Sequence, residues 1–232
     1  MTDRQSLKYS ADRFQFTKKQ QFALLLGNYI QLIHVVSVSS LLFIPWAPSV
    51  LRWLAALFTL YVLPPLTARL IILIRPIRKE CITIPSRDYF VWWFLLNLQM
   101  VFCRFSFLEE LLRVFPCAYS TWLRLWGSDI GKHTYWAAGL RILDRSFLHI
   151  GDQVAFGAGV RLNAHVIIEN DEGVPELLLA KIRIGDRALI GGYSLLTAGT
   201  HIAENESTRA LLTSPPFSHW QGGKRVKKGK QP

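Results

Sequence analysis

Cysteine is scarce in this chain of 232 residues, which contains three, Cys81, Cys103 and Cys117. Their spacing does not match zinc-binding motifs, and an odd number cannot pair completely into disulfides. The sequence therefore predicts neither a zinc site built on cysteine nor a disulfide framework. The scarcity is consistent with a reducing compartment.

Acidic residues are also few, since 16 Asp and Glu stand against 27 Lys and Arg and the net charge is +11. Residues 224–230 form a basic run inside a predicted C-terminal tail, residues 204–232. No RNA- or DNA-binding module accompanies this run, so we expect a tail lying on anionic membrane lipids and no nucleic-acid partner. Phosphate capture from a nucleotide cofactor by Lys224 and Arg225 is a further option.

Formal charge is missing from two long apolar stretches, residues 22–45 and 53–68. Each is close to the roughly 20 residues that cross a hydrocarbon core. The sequence predicts a polar lead at residues 1–20 and a two-helix membrane hairpin at residues 21–75; a re-entrant pair in one leaflet is the alternative. Basic residues flank the pair, which places both ends and the rest of the chain at the cytoplasmic face of the inner or plasma membrane.

Residues 76–128 mix aromatic side chains with arginines and glutamates. Charges recur too often for burial in hydrocarbon, whereas aromatics beside arginines suit the headgroup boundary. We expect two amphipathic helices on the membrane surface, separated near Pro116. The alternative is a core helix that packs on the following domain.

A six-residue rhythm runs through residues 129–203. Aliphatic or aromatic residues open its units at Ile130, Trp136, Ile142, Ile150, Phe156, Leu162, Ile184, Ile190, Leu196 and Ile202. Three units make one turn of roughly 18 residues, so the pattern predicts a mainly β fold, a parallel β-helix of about three coils. Residues 168–181 break the period and are expected to project as a loop.

Several motifs carry a family resemblance. They are YFVWW at residues 89–93, LRLWGSDI at 123–130, LNAH at 162–165 and KIRIGD at 181–186. The chain resembles the left-handed β-helix hexapeptide-repeat acyltransferases, in particular the membrane-associated C-terminal regions of nonribosomal peptide synthetases of the poly-lysine synthetase type. The resemblance implies a left-handed coil, an acyl-CoA donor, a homotrimer and an active-site groove between neighbouring prisms.

Acyl transfer from a thioester needs a base that takes a proton from the attacking hydroxyl or amine, and imidazole titrates near working pH. His165 is the candidate, since the resemblance implies that the histidine of this motif is the catalytic base. The structural alternative is that His165 lies at a corner of the coil and bonds a neighbouring backbone carbonyl. Asn163 either orients the acceptor or belongs to a corner stack, and Glu169 polarises His165 if the loop folds back.

Gly191, Gly192 and Gly199 are candidates for presenting bare backbone to the thioester and to pantetheine. Tight corners of the coil are the structural alternative for each. His133, His149 and His165 are sixteen residues apart, but they fall on different faces of the coil, so no metal is predicted. A site like that of a carbonic anhydrase would need ligands from neighbouring subunits.

The predicted function is a membrane-anchored transferase that moves an acyl group, expected to be acetyl, to a hydroxyl or amine. Membrane attachment favours a lipid-linked sugar, a peptide or a lipid as acceptor. The alternative from another class is a non-catalytic membrane-tethered scaffold whose prism binds a partner.

Overall fold

The computed structural model describes residues 16–226. Six α-helices and sixteen strands follow one another along this part of the chain. The α-helices are α1 Lys18–Leu42, α2 Ser49–Leu57, α3 Leu63–Ile74, α4 Arg87–Arg104, α5 Phe107–Val114 and α6 Ala118–Leu125, with a π-helical turn Phe58–Val62 joining α2 to α3. Residues 1–15 of the predicted lead and 227–230 of the basic run lie outside the described residues.

The first two helical segments present apolar side chains outward. Helix α1 begins at a capping box in which Thr17 and Gln20 bond each other's backbone, and it buries none of its side chains. The segment Ser49–Ile74 is also apolar. By length and composition both segments are able to cross a membrane. The sequence analysis expected apolar helices at these two places.

The polar residues of α1 bond to neighbouring helices. Gln31 Nε2 donates to Asn97 Oδ1 of α4 at 3.0 Å, and His34 Nε2 lies 3.1 Å from the carbonyl oxygen of Thr59. Such partners are what polar groups need inside an apolar environment. These bonds tie α1 to the later helices.

The segment predicted as two surface helices contains three. The chain breaks at Phe105 and Ser106, where α4 and α5 meet at 75°, and again near Pro116 as expected. Phe102, Trp122 and Trp126 are buried in one cluster with the interior of the following domain. The alternative interpretation, a helix packed on the β domain, therefore describes these side chains.

Residues 129–221 wind into a parallel β-helix with three faces, as predicted. Its strands are β2 Asp129–Ile130, β3 Tyr135–Trp136, β4 Arg141–Leu143, β5 Leu148–Ile150, β6 Ala155–Phe156, β7 Arg161–Asn163, β10 Ile182–Ile184, β11 Leu189–Ile190, β12 Leu195–Leu196, β13 His201–Ile202, β14 Thr213–Ser214 and β15 His219–Gln221. On the first face Ile130, Ile150, Ile184, Ile202 and Trp220 stack in register. The hand of the coil stays a prediction.

The first coil meets the helices through Trp136. Its ring stacks on Phe156 at 4.9 Å, and its Nε1 donates to Ser120 Oγ of α6 at 2.9 Å. An indole at this position closes the end of the prism against α6. The oversized residue of the hexapeptide pattern thus marks the junction between helices and coil.

The predicted end of the β-helix at residue 203 is wrong. Strand β14 pairs with β12 and β15 pairs with β13, so another coil follows. The predicted tail 204–232 therefore begins with prism, and β16 Lys224–Val226 closes it by pairing antiparallel with β15. The hexapeptide opening is harder to recognise here because Ser214 and Trp220 occupy the inward positions.

The predicted loop 168–181 is mostly a β-hairpin. Strand β8 His165–Glu169 pairs antiparallel with β9 Pro175–Leu179, and β1 Cys81–Thr83 extends the sheet on the other side of β9. The turn at 170–174 is closed by Asn170, whose backbone bonds Val174 and whose side chain accepts from Glu172 N. Leu177 and Leu179 are buried with Trp92, which fixes the hairpin against α4.

Candidate active site

His165 stands where the chain leaves the prism. Ala164 occupies the last interior position, fully buried, and Ala180 returns to it through a backbone bond of 3.0 Å to the Ala164 carbonyl. The excursion between them is the β8–β9 hairpin. His165, its first residue, therefore lies outside the prism but close to its wall.

Asp144 reaches His165 from the preceding coil. Leu143 pairs with Asn163, so the residues that follow each of them turn at the same corner. Asp144 has a backbone φ of +60°, a left-handed conformation that aspartate tolerates better than most residues. Its Oδ2 lies 2.5 Å from Nδ1 of His165. Because an ionised carboxylate only accepts, Nδ1 carries the proton when the imidazole is neutral, and Nε2 then holds the lone pair.

Trp92 of α4 completes this arrangement. Its Nε1 donates to Oδ1 of Asp144 at 2.9 Å, and its ring meets the His165 imidazole edge to face at 4.8 Å between centroids. Both carboxylate oxygens of Asp144 are thus occupied by different partners. The three side chains form the dyad cluster, defined here as Trp92, Asp144 and His165.

The dyad cluster changes the proton affinity of its histidine. Burial lowers the pKa of His165, but the charge of Asp144 and its hydrogen bond act the other way, and the net result is a raised pKa. The Asp144 side chain is 2% exposed and that of His165 is 18% exposed. The carboxylate is therefore shielded while the imidazole can still be approached.

The backbone beside Asp144 is held by a buried arginine. Arg145 is fully buried and forms an ion pair with Glu109 of α5. Gln99 Oε1 accepts from both its backbone N, at 3.0 Å, and its Nη1, at 2.9 Å. Arg113 also bonds Glu109, at 3.0 Å. A buried charge is tolerated only when paired in this way, so the network fixes Arg145 and with it the neighbouring Asp144.

A cavity of about 170 Å³ lies between α4, α5 and the third face of the prism. Its helical wall contains Phe102, Cys103, Ser106 and Glu109, and its prism wall contains Leu140, Arg141, Ile142, Leu143, Arg145, Arg161 and Asn163. Leu143 and Arg145 flank Asp144 in the chain, and Asn163 is separated from His165 by one residue. The cavity therefore begins beside the dyad cluster.

Glu169 is the carboxylate that the sequence predicts to polarise His165 if the loop folds back. It ends β8, four residues from His165, which corresponds to about 13 Å along an extended strand. Asp144 provides the carboxylate instead. The sequence analysis missed Asp144 and the role of Trp92. The slip of two residues in the hexapeptide count just before Ile150 was the available signal, because it shows that the corner at Asp144 is irregular.

The three predicted glycines occupy corners of the prism. A Cβ on Gly191 would meet the backbone of Arg209 and Ala210 within 2.4 Å, and a Cβ on Gly192 would lie 3.1 Å from the Ala158 carbonyl oxygen. Gly199 has φ +69° and bonds Ala180 O, at the corner where the hairpin returns. These contacts support the structural alternative for Gly191, while Gly199 is the one nearest to the hairpin.

Lys224 and Arg225 are exposed on β16, at the last coil of the prism. The strand that holds His165 starts from the second coil, so no described contact links the two basic residues to the dyad cluster. His149 lies on the first face and pairs with Asp129 at 2.8 Å. Within residues 16–226 no three His, Cys, Asp or Glu side chains converge as a metal site would require.

The sequence matches no protein-family model and no curated protein. Solved structures show low similarity. A hexapeptide-repeat acetyltransferase from Vibrio cholerae in complex with acetyl coenzyme A is 15% identical over 56% of this chain and 88% of its own, with a TM-score of 0.39. A maltose O-acetyltransferase from Clostridium difficile 630 is 17% identical over 54% and 84%, with a TM-score of 0.35.

Serine acetyltransferase isoform 3 from Entamoeba histolytica, in complex with cysteine, is 11% identical over 90% of this chain and 84% of its own, with a TM-score of 0.29. At this level of similarity none of these structures assigns a function to the chain.

Proposed function

We propose that this protein is a membrane-anchored acyltransferase in which His165 is the general base. The observation that carries the proposal is the dyad cluster: an approachable imidazole whose Nδ1 is held by a shielded carboxylate, itself bonded by Trp92. A carboxylate in this position fixes the tautomer and stabilises the imidazolium that forms during proton transfer.

In the proposed reaction an acceptor hydroxyl or amine attacks the thioester carbonyl of acyl-CoA, expected to be acetyl-CoA. Nε2 of His165 takes the acceptor proton as the new C–O or C–N bond forms. The C–S bond then breaks, and the imidazolium gives the proton to the leaving thiolate of coenzyme A. The acyl group thus ends on the acceptor and the acceptor's proton on the thiol of coenzyme A, and His165 is neutral again.

The acceptor is proposed to be membrane-associated. Helices α1 and α2–α3 are proposed to form the anchoring hairpin, with the prism on the cytoplasmic side. Helix α4 bonds α1 through Asn97 and contributes Trp92 to the dyad cluster. Because one helix contacts both the anchor and the site, the site stands close to the membrane. A lipid, a lipid-linked sugar or a membrane-bound peptide suits this placement.

The left-handed coil and the homotrimer remain part of the proposal.

The test uses the full chain in phosphatidylcholine nanodiscs with radiolabelled acetyl-CoA and a polar lipid extract as acceptor source. His165→Ala is expected to lower label transfer by about 10²–10⁴-fold, the usual contribution of a general base. His149→Ala is the matched control, because it removes an imidazole that is also paired with an aspartate but lies on another face. Unchanged transfer in His165→Ala would contradict the role of His165 as the base, whereas no label transfer by the unsubstituted chain would contradict the transferase and favour the non-catalytic scaffold.

A further inference from the structure

Two arginines stand side by side on the outside of the third face. Arg141 of β4 and Arg161 of β7 are direct partners on neighbouring parallel strands, about 4.8 Å apart at their backbones. Both are exposed. Within residues 16–226, neither has an acidic side chain within ion-pair distance.

This pairing is unfavourable by itself, because like charges directly opposite each other on adjacent strands repel. Two other arginines near the cavity are paired with carboxylates. Arg113 and Arg145 both bond Glu109, and Arg113 also bonds Glu110 at 2.6 Å. The acidic groups nearby are thus already engaged, and an anion between Arg141 and Arg161 would remove the repulsion.

The pair also lies at a junction. Arg141 and Arg161 line both the cavity beside the dyad cluster and an open groove of about 440 Å³ that continues past Gly159 and Tyr193. Asn163, which also lines the cavity, lies between Arg161 and His165 in the chain. A ligand that fills the cavity from the arginines as far as Asn163 would therefore extend toward the imidazole.

We propose that Arg141 and Arg161 form a phosphate-binding clamp for a substrate of the acyl transfer at His165. Guanidinium groups bind phosphate through parallel N–H···O bonds, and two of them together match its charge and its several oxygens. This inference rests on the proposed function. The phosphate belongs either to the coenzyme A donor or to the headgroup of a phosphorylated lipid acceptor.

The span between clamp and base restricts the ligand. Arg161 and His165 are four residues apart, at most about 13 Å along the chain, so we expect a linker between the phosphate and the reacting atom. Phe102, Leu140 and Ile142 supply apolar wall between the helices and the strand. A substrate with a phosphate, an apolar middle and a reactive group at a distance fits this order.

The experiment measures binding by calorimetry in phosphatidylcholine nanodiscs with two probes, coenzyme A and dihexanoyl phosphatidic acid. Arg141→Gln and Arg161→Gln are compared with Arg183→Gln, which removes an exposed arginine from an outward position on the first face. Each clamp substitution is expected to weaken one probe by about tenfold, the effect of one charged hydrogen bond, and Arg183→Gln to leave both unchanged. Arg141→Lys is expected to retain part of the affinity.

The probe that responds identifies the source of the phosphate. Weaker coenzyme A binding assigns the clamp to the donor, and weaker phosphatidic acid binding assigns it to the acceptor. Unchanged affinity for both probes in the two clamp variants would overturn the inference. Neither probe carries a thioester, so no acyl transfer takes place in the measurement and this result is independent of whether His165 catalyses the reaction.

Discussion

The helices α1–α3 and the prism use similar apolar residues in opposite ways. Helix α1 buries none of its side chains, and Leu32 and Ile33 are more than half exposed. In the prism Leu162, Ile184 and Ile190 are fully buried. The prism buries its own apolar surface, whereas α1 exposes the apolar surface expected of a helix that is able to cross a membrane.

The dyad cluster lies at the boundary between these regions. Trp92 comes from the helices, while Asp144 and His165 come from the prism. The buried pair of Glu109 and Arg145 joins the same two regions. Neither region alone holds the complete site, so the chemistry depends on how they are packed together.

The largest expected effect separates the site from the surrounding prism. Asp144→Asn removes the charge that holds His165, and we expect kcat to fall by at least about 100-fold while the fold persists. Asp129→Asn, which breaks the exposed pair with His149, is the control and should leave kcat unchanged. Equal losses in the two variants would contradict a special role for Asp144.

A second substitution pair tests the comparison of solvents directly. Ile184→Ala opens a cavity in the prism and is expected to cost about 2–5 kcal/mol of unfolding free energy. Leu32→Ala removes a side chain that is 56% exposed and should cost far less. Denaturation followed by circular dichroism in nanodiscs measures both. A larger loss for Leu32→Ala would show that α1 is packed inside protein.

Trp92→Phe tests the hydrogen bond that crosses the boundary between the helices and the prism. The substitution keeps an aromatic ring beside His165 but removes the N–H that bonds Asp144 Oδ1. We expect kcat to fall by about tenfold, since one buried bond to a charged group is lost. Trp93→Phe, on the next position of α4, is the control. If kcat is unchanged in Trp92→Phe, Asp144 is positioned without the helices.

The smallest effect is expected at the far end of the prism. The double variant Lys224→Gln, Arg225→Gln removes two exposed charges from β16. If Arg141 and Arg161 bind the phosphate of the coenzyme A donor, KM for acetyl-CoA should change by less than about twofold. A several-fold increase in KM would indicate that Lys224 and Arg225 bind the phosphate, which is one of the options that the sequence leaves open.

The sequence predicted the register of the prism well and the site only in part. Ile150, Ile184 and Ile202 stack as the six-residue period requires, because that period is a local property of the coil. Asp144 meets His165 through pairing one coil apart, and the eight-residue spacing of Ile142 and Ile150 is the one irregularity in the sequence that points to this corner. Trp92 arrives from a helix that is distant in the chain, which no local pattern records.

The pH profile of kcat/KM tests most directly whether Asp144 controls the protonation of His165. A general base must be neutral, so activity rises with pH through the pKa of His165, which the structure places above the ordinary histidine value of 6.5. In Asp144→Asn the midpoint of the pH profile should shift to lower pH, because burial then acts alone on the pKa of His165 and lowers it. An unchanged midpoint in that variant would contradict the account.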